Sequence, residues 1–155
     1  MLKILILILA IWTIPANATH YKNSLIDSWI KKELAIPIVE QCKKLAKDPI
    51  HCIKKIASIS MAESGGGWKC IEHNCTWLGG WRFHYKNYTE WVIDWIHRYN
   101  KYWYKTKAMS DFYPPKGKKS KTRYCTSEES SNSNVGCPNW LKHSSEFQEK
   151  LNKLF

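Results

Sequence analysis

After one uninterrupted apolar run at its start, the chain spaces its apolar residues at three- and four-residue intervals, the period of helices. Leu25, Ile26, Trp29 and Ile30 share one side of a helix predicted over Ser24 to Leu34. Pro37 suits the first turn of a second helix, which runs through Val39, Cys42 and Leu45 and ends before Pro49. A third is predicted from about Ile50 to Glu63, where Gly65-Gly66-Gly67 stops it. Trp68 to Lys86 alternates poorly and reads as irregular or weakly extended. Asn87 then has the position of a helix cap, with Glu90 at capping-box spacing. Trp91, Val92, Trp95, Tyr99, Tyr102 and Trp103 follow on one stripe. From Pro114 to Pro138 the chain turns to Lys, Ser, Asn and Gly and reads as a long loop. Ser145 and Gln148 suggest a second capping box, opening a last helix with Phe147, Leu151 and Leu154. The expected fold class is mainly α, with irregular, disulfide-stapled loops and no internal repeat.

The opening run changes the picture. Met1-Leu2-Lys3, the apolar stretch Ile4 to Ile11, Pro15 and Ala16-Asn17-Ala18 form a positive start, a short apolar core and a small-x-small site. Residues 1–18 therefore read as a signal peptide, and residues 19–155 as one secreted or periplasmic domain. An uncleaved anchor is the alternative, although the core falls short of the roughly 20 apolar residues that span a membrane. Loss of Lys3 takes the formal charge from +11 to about +10. Such a charge suits an anionic cell-wall surface; export argues against a nucleic-acid partner. Part of the excess is equally well read as solvated surface.

Six cysteines in an exported chain point to disulfides. Spacing favours three local pairs, Cys42–Cys52, Cys70–Cys75 and Cys125–Cys137, although sequence alone does not choose among the pairings. A metal site from Cys70, His73 and Cys75 is the rival, but a structural zinc wants four ligands. No metal or cofactor is expected.

Glu63 stands out. At about 100° per residue it projects between Ile56 and Ile59, toward the core side of an apolar helix. Burial and the negative end of the helix dipole both disfavour its ionised form, so a raised pKa is expected. A carboxylic acid held protonated near neutral pH is what glycosidic cleavage uses to protonate the leaving oxygen. The other reading is a frayed helix end, with Glu63 solvated or paired with a lysine. Trp68, Trp77, Trp81 and Trp140 lie in irregular segments, where an exposed indole suits stacking on sugar rings; core packing is their alternative role.

The run Ile56-Ala57-Ser58-Ile59-Ser60-Met61-Ala62-Glu63-Ser64 resembles the catalytic-helix signature of the lysozyme-like superfamily, as found in lytic transglycosylases and bacterial β-N-acetylglucosaminidases. Asn74-Cys75-Thr76-Trp77-Leu78-Gly79-Gly80 stands where those families carry an Asn-x-x-Gly-like segment, here distorted by Cys75. The aromatic helix from Tyr88 to Tyr104 is also similar. The resemblance covers about Ile50 to Tyr113. It implies a lysozyme-like helical domain cleaving the glycan strands of peptidoglycan as a monomer, with Glu63 as general acid and base. It also implies sugar contacts from Tyr113 and, more weakly, Trp77, Tyr124 and Trp140. No second carboxylate can be placed: Glu90 and Asp94 have helical explanations, and Asp111, Glu128 and Glu129 are loop candidates. Lytic transglycosylases need only one Glu, whereas a two-carboxylate hydrolase needs a partner. Two other classes remain. One is a non-catalytic, basic, disulfide-rich wall-binding protein or toxin. The other is an animal-type secreted effector, suggested by the sequons Asn74-Cys75-Thr76 and Asn87-Tyr88-Thr89.

Overall fold

The computed structural model describes residues 16–76, 84–105 and 137–155. They form five helices: α1 (Ala16–Asp27), α2 (Lys32–Leu45), α3 (Pro49–Ser64), α4 (Tyr88–Arg98) and α5 (Cys137–Leu154). An isolated bridge between Ile71 and Asn74 is the sole extended pairing among the described residues. Residues 1–15 lie outside them, and the expected cleavage point after Ala18 falls in the first turn of α1, ahead of its first core residue, Tyr21.

Helix α3 begins where local chemistry says it should. The Asp48 carboxylate accepts from the His51 N–H at 3.1 Å, and Pro49 occupies the first turn. It ends at Gly65, whose left-handed φ of 60° closes the helix. Asn87 caps α4 by accepting from the Glu90 N–H at 3.0 Å, and Glu90 returns to the Lys86 N–H at 3.0 Å. The α4 stripe continues through a π-helical turn, Tyr99–Trp103. That turn keeps Tyr99 and Trp103 both buried, with Trp103 stacked on Trp95 at 5.1 Å. The stripe is therefore core, with Tyr102 half-buried beside it.

Three expectations need correction. The helix expected over Ser24 to Leu34 is two elements, because α1 ends at Asp27. Trp29 turns left-handed there (φ 74°). Its N–H donates to the Ile26 carbonyl, and the Ile30 N–H donates to that of Leu25, both at 3.0 Å, the Schellman pattern of a helix end. Pro37 does not open α2 but lies within it, buried, at the cost of one helical hydrogen bond to the turn before. The last helix starts at Cys137 rather than Ser145, so the Ser145–Gln148 spacing is interior to it.

Helix α3 is the central element. It packs against α2 on one side and, most extensively, against α5 on the other, while α2 also carries α1 and α4. It is consequently buried nearly all round: Ser58 and Lys55, which a two-faced helix would show to water, are fully buried beside Ile53, Ile56 and Ile59. The Lys55 ammonium donates to the Gln148 amide oxygen on α5 at 3.1 Å.

Two of the expected disulfides are present. Cys42–Cys52 ties α2 to the start of α3, and Cys70–Cys75 closes a tight turn in which Glu72 and His73 are both left-handed. The second bridge uses both thiols of the rival metal set, and no cluster of three metal-ligating side chains occurs among the described residues. Cys125 and the side chain of Cys137 lie outside the described residues.

Candidate active site

Glu63 sits in the last turn of α3, half-buried. The backbone around it is tied down by its neighbours. The Ser64 hydroxyl donates to the Ser60 carbonyl at 2.8 Å and accepts from the Gly67 N–H at 3.1 Å. The Gly65 N–H donates to the Met61 carbonyl at 3.0 Å, and the Gly66 N–H to that of Ser60 at 3.0 Å. The serine after the glutamate thus ties the helix end to the triple-glycine turn. The helix-end groups beside Glu63 find these partners within the turn.

Glu63 lines a groove of about 520 Å³ between the carboxyl end of α3 and the middle of α5. Met61, Ala62, Gly65 and Lys69 line it from the α3 side. From α5 come His143, Glu146, Phe147 and Lys150. The groove is open to solvent and mixed in charge. The His143 ring nitrogen lies 3.8 Å from the Glu146 carboxylate, and both side chains are exposed. The groove thus has a carboxylate residue in each wall, Glu63 on α3 and Glu146 on α5.

Glu146 is a groove residue that sequence reasoning did not single out. With α5 started at Ser145, His143 falls outside the helix and Glu146 in its first turn. With α5 started at Cys137, His143, Glu146, Phe147 and Lys150 fall at i, i+3, i+4 and i+7, one face. The earlier helical candidates are engaged as expected. Asp94 accepts from the Tyr85 hydroxyl at 2.9 Å and from Arg98 at 3.1 Å, and Glu90 serves the α4 cap. Burial, and then the hydrogen bond to Asp94, raise the Tyr85 phenol well above its ordinary range.

Of the expected sugar contacts, Trp140 is corrected. Its ring is only 7% exposed and belongs to the core, because α5 begins early enough to carry it inward. Tyr113, Trp77 and Tyr124 lie outside the described residues, as do Trp81, Asp111, Glu128 and Glu129. Both sequons have structural employment. Asn74 accepts from the Thr76 N–H at 3.1 Å and its hydroxyl at 3.2 Å, with Thr76 buried, and Asn87 caps α4.

A second open groove, about 630 Å³, lies at the other end of α3, lined by Asp48, His51, Lys54, Tyr104, Lys105 and Gln148 among others. The His51 ring nitrogen and the Tyr99 hydroxyl are 2.8 Å apart, and that hydroxyl reaches the Asp48 carbonyl at 3.2 Å. Burial, with the Asp48 charge adding to it, raises the Tyr99 phenol. Burial lowers the Lys54 ammonium, with Asp48 opposing. Among the described residues no helix is long and apolar enough to cross a membrane. No protein-family model, curated protein or solved structure matches the chain.

Proposed function

We propose that this chain is an extracytoplasmic enzyme that cleaves the glycan strands of peptidoglycan, with Glu63 as general acid and then general base. One observation carries the reading: Glu63 stands half-buried at the hydrogen-bonded end of a buried helix, in the wall of an open groove. The protonated carboxyl delivers its proton to the glycosidic oxygen as the bond to the leaving sugar breaks, and the carboxylate recovers one from the attacking nucleophile. If the nucleophile is water and attacks while Glu63 is still the acid, its proton goes instead to a second base of the groove, Glu146 or His143 on α5. If it is a hydroxyl of the substrate, Glu63 suffices and an anhydro sugar results. Two disulfides fit an oxidising, extracytoplasmic compartment. The basic balance suits an anionic wall surface.

The test is digestion of purified peptidoglycan followed by mass spectrometry of the soluble products. Reducing-end muropeptides assign hydrolysis; products lighter by one water assign the intramolecular route. No glycan product at any enzyme concentration would leave the non-catalytic, wall-binding reading. That reading draws on the larger groove, where Lys54 and Lys105 stand beside Tyr104.

A further inference from the structure

Two tryptophans are the most exposed large apolar side chains among the described residues: Trp29 at 73% and Trp68 at 61%. They are also neighbours. Their rings meet edge to face, with centroids 6.5 Å apart and planes at 79°. The Trp68 indole N–H donates to the Trp29 backbone carbonyl at 3.0 Å, which fixes that ring against the turn.

The backbone beneath them is held in an unusual form. Trp29 occupies the left-handed position that closes α1, where glycine is the usual residue and a bulky side chain is an outlier. Such a conformation persists where the surroundings over-determine it, and it gathers at functional sites. The surroundings here are the triple-glycine turn that follows Glu63. The Lys31 N–H donates to the Gly66 carbonyl at 2.8 Å. A Cβ on Gly66 would come within 2.5 Å of the Trp29 carbonyl oxygen, and one on Gly67 within 2.8 Å of Leu34. The two turns meet at Gly66, where the approach to the Trp29 carbonyl is one that only glycine allows, and both indoles are left exposed.

Burying a tryptophan stabilises a fold, so two exposed together on a rigid support point to a ligand. We infer that Trp29 and Trp68 form a stacking platform for the glycan strand, continuous with the Glu63 groove. The assignment of its ligand rests on the reading of Glu63 given above. The link is through the chain: Trp68 is followed by Lys69, which lines that groove together with Gly65. An indole offers a sugar ring an apolar face while the hydroxyl groups stay in water. Lys69, exposed and next to Trp68 in the chain, suits a strand that carries carboxylates.

The test measures binding apart from cleavage, in the Glu63→Gln protein. An N-acetylglucosamine hexamer is titrated calorimetrically, and purified peptidoglycan is used in a pelleting assay. Trp29→Gly and Trp68→Ala should each weaken binding to both probes by about tenfold. Trp68→Phe should retain more affinity than Trp68→Ala. Trp29→Gly should melt no lower than its parent, because glycine adopts the left-handed turn without strain. Unchanged affinity in both variants, or a parent that binds neither probe, overturns the platform. So does a loss seen only with phosphatidylglycerol vesicles, which would assign the pair to a membrane surface. If the tryptophan variants bind glycan weakly but the wild-type protein cleaves no peptidoglycan, the enzyme reading falls and the platform stands. If cleavage is normal and glycan binding is unaffected by the variants, the platform alone falls.

Discussion

The two ends of α3 lie in similar settings and are held together differently. Each opens onto a groove lined partly by α5, of about 630 Å³ at the amino end and about 520 Å³ at the carboxyl end. At the amino end the polar groups hold elements together. Asp48 caps the helix, Tyr99 and His51 join the π-helical turn after α4 to α3, and the Asn100 side chain bridges the Leu45 carbonyl (2.8 Å) and the Lys47 N–H (2.9 Å). Cys42–Cys52 adds a covalent tie. At the carboxyl end the corresponding work is done by Ser64 and the triple glycine, through the backbone. Side-chain ties between elements surround the larger groove, and the smaller one has Glu63 in its wall beside a turn held through the backbone. The two grooves are close in size and differ in which groups tie the surrounding backbone.

The sharpest way to break this comparison is Glu63→Gln. Glutamine keeps the size of the side chain but cannot deliver and recover a proton. Activity should fall by about 10² to 10⁴ with little change in melting temperature. Muropeptide release beside thermal melts checks it; a well-folded variant that retains most of its activity would make the carboxyl end structural like the amino end.

At the amino end the effects should appear in stability instead. Replacing Cys42 and Cys52 together by serine should cost about 2–4 kcal/mol in denaturant unfolding and leave glycan cleavage intact at temperatures where the protein remains folded. Loss of cleavage in a fully folded variant would show that the two ends are coupled.

The glycine turn separates close packing from conformational preference. Gly65 and Gly66 share a left-handed backbone, and any other residue pays about 1–2 kcal/mol for it. A Cβ at Gly65 meets nothing within 4 Å, whereas one at Gly66 runs into the Trp29 carbonyl. Gly66→Ala should therefore destabilise clearly more than Gly65→Ala in the same melts; equal losses would show that the two turns do not meet at Gly66. The smallest effect is expected for Asp48→Ala, about 1 kcal/mol from the lost cap, with kcat unchanged. A fall in kcat without loss of stability would move chemistry to the amino end.

What could be read directly from the chain was what short-range chemistry decides. The limits of α3, the Asn87 cap and the local pairs Cys42–Cys52 and Cys70–Cys75 depend on residues a few positions apart, and they occur as expected. The place of Glu63 at the end of an apolar helix is of the same kind. Other features depend on distant neighbours. Leu25, Ile26, Trp29 and Ile30 have helical spacing, yet Trp29 turns outward because its carbonyl and the following residues meet the glycine turn some forty positions later. Ser58 and Lys55 look like surface on a two-faced helix and are buried because α3 lies between α2 and α5. Glu146 enters the Glu63 groove, and Trp140 the core, through the docking of α5 on α3. Helical periodicity reports which residues share a face; which face meets which neighbour is settled only when the helices pack.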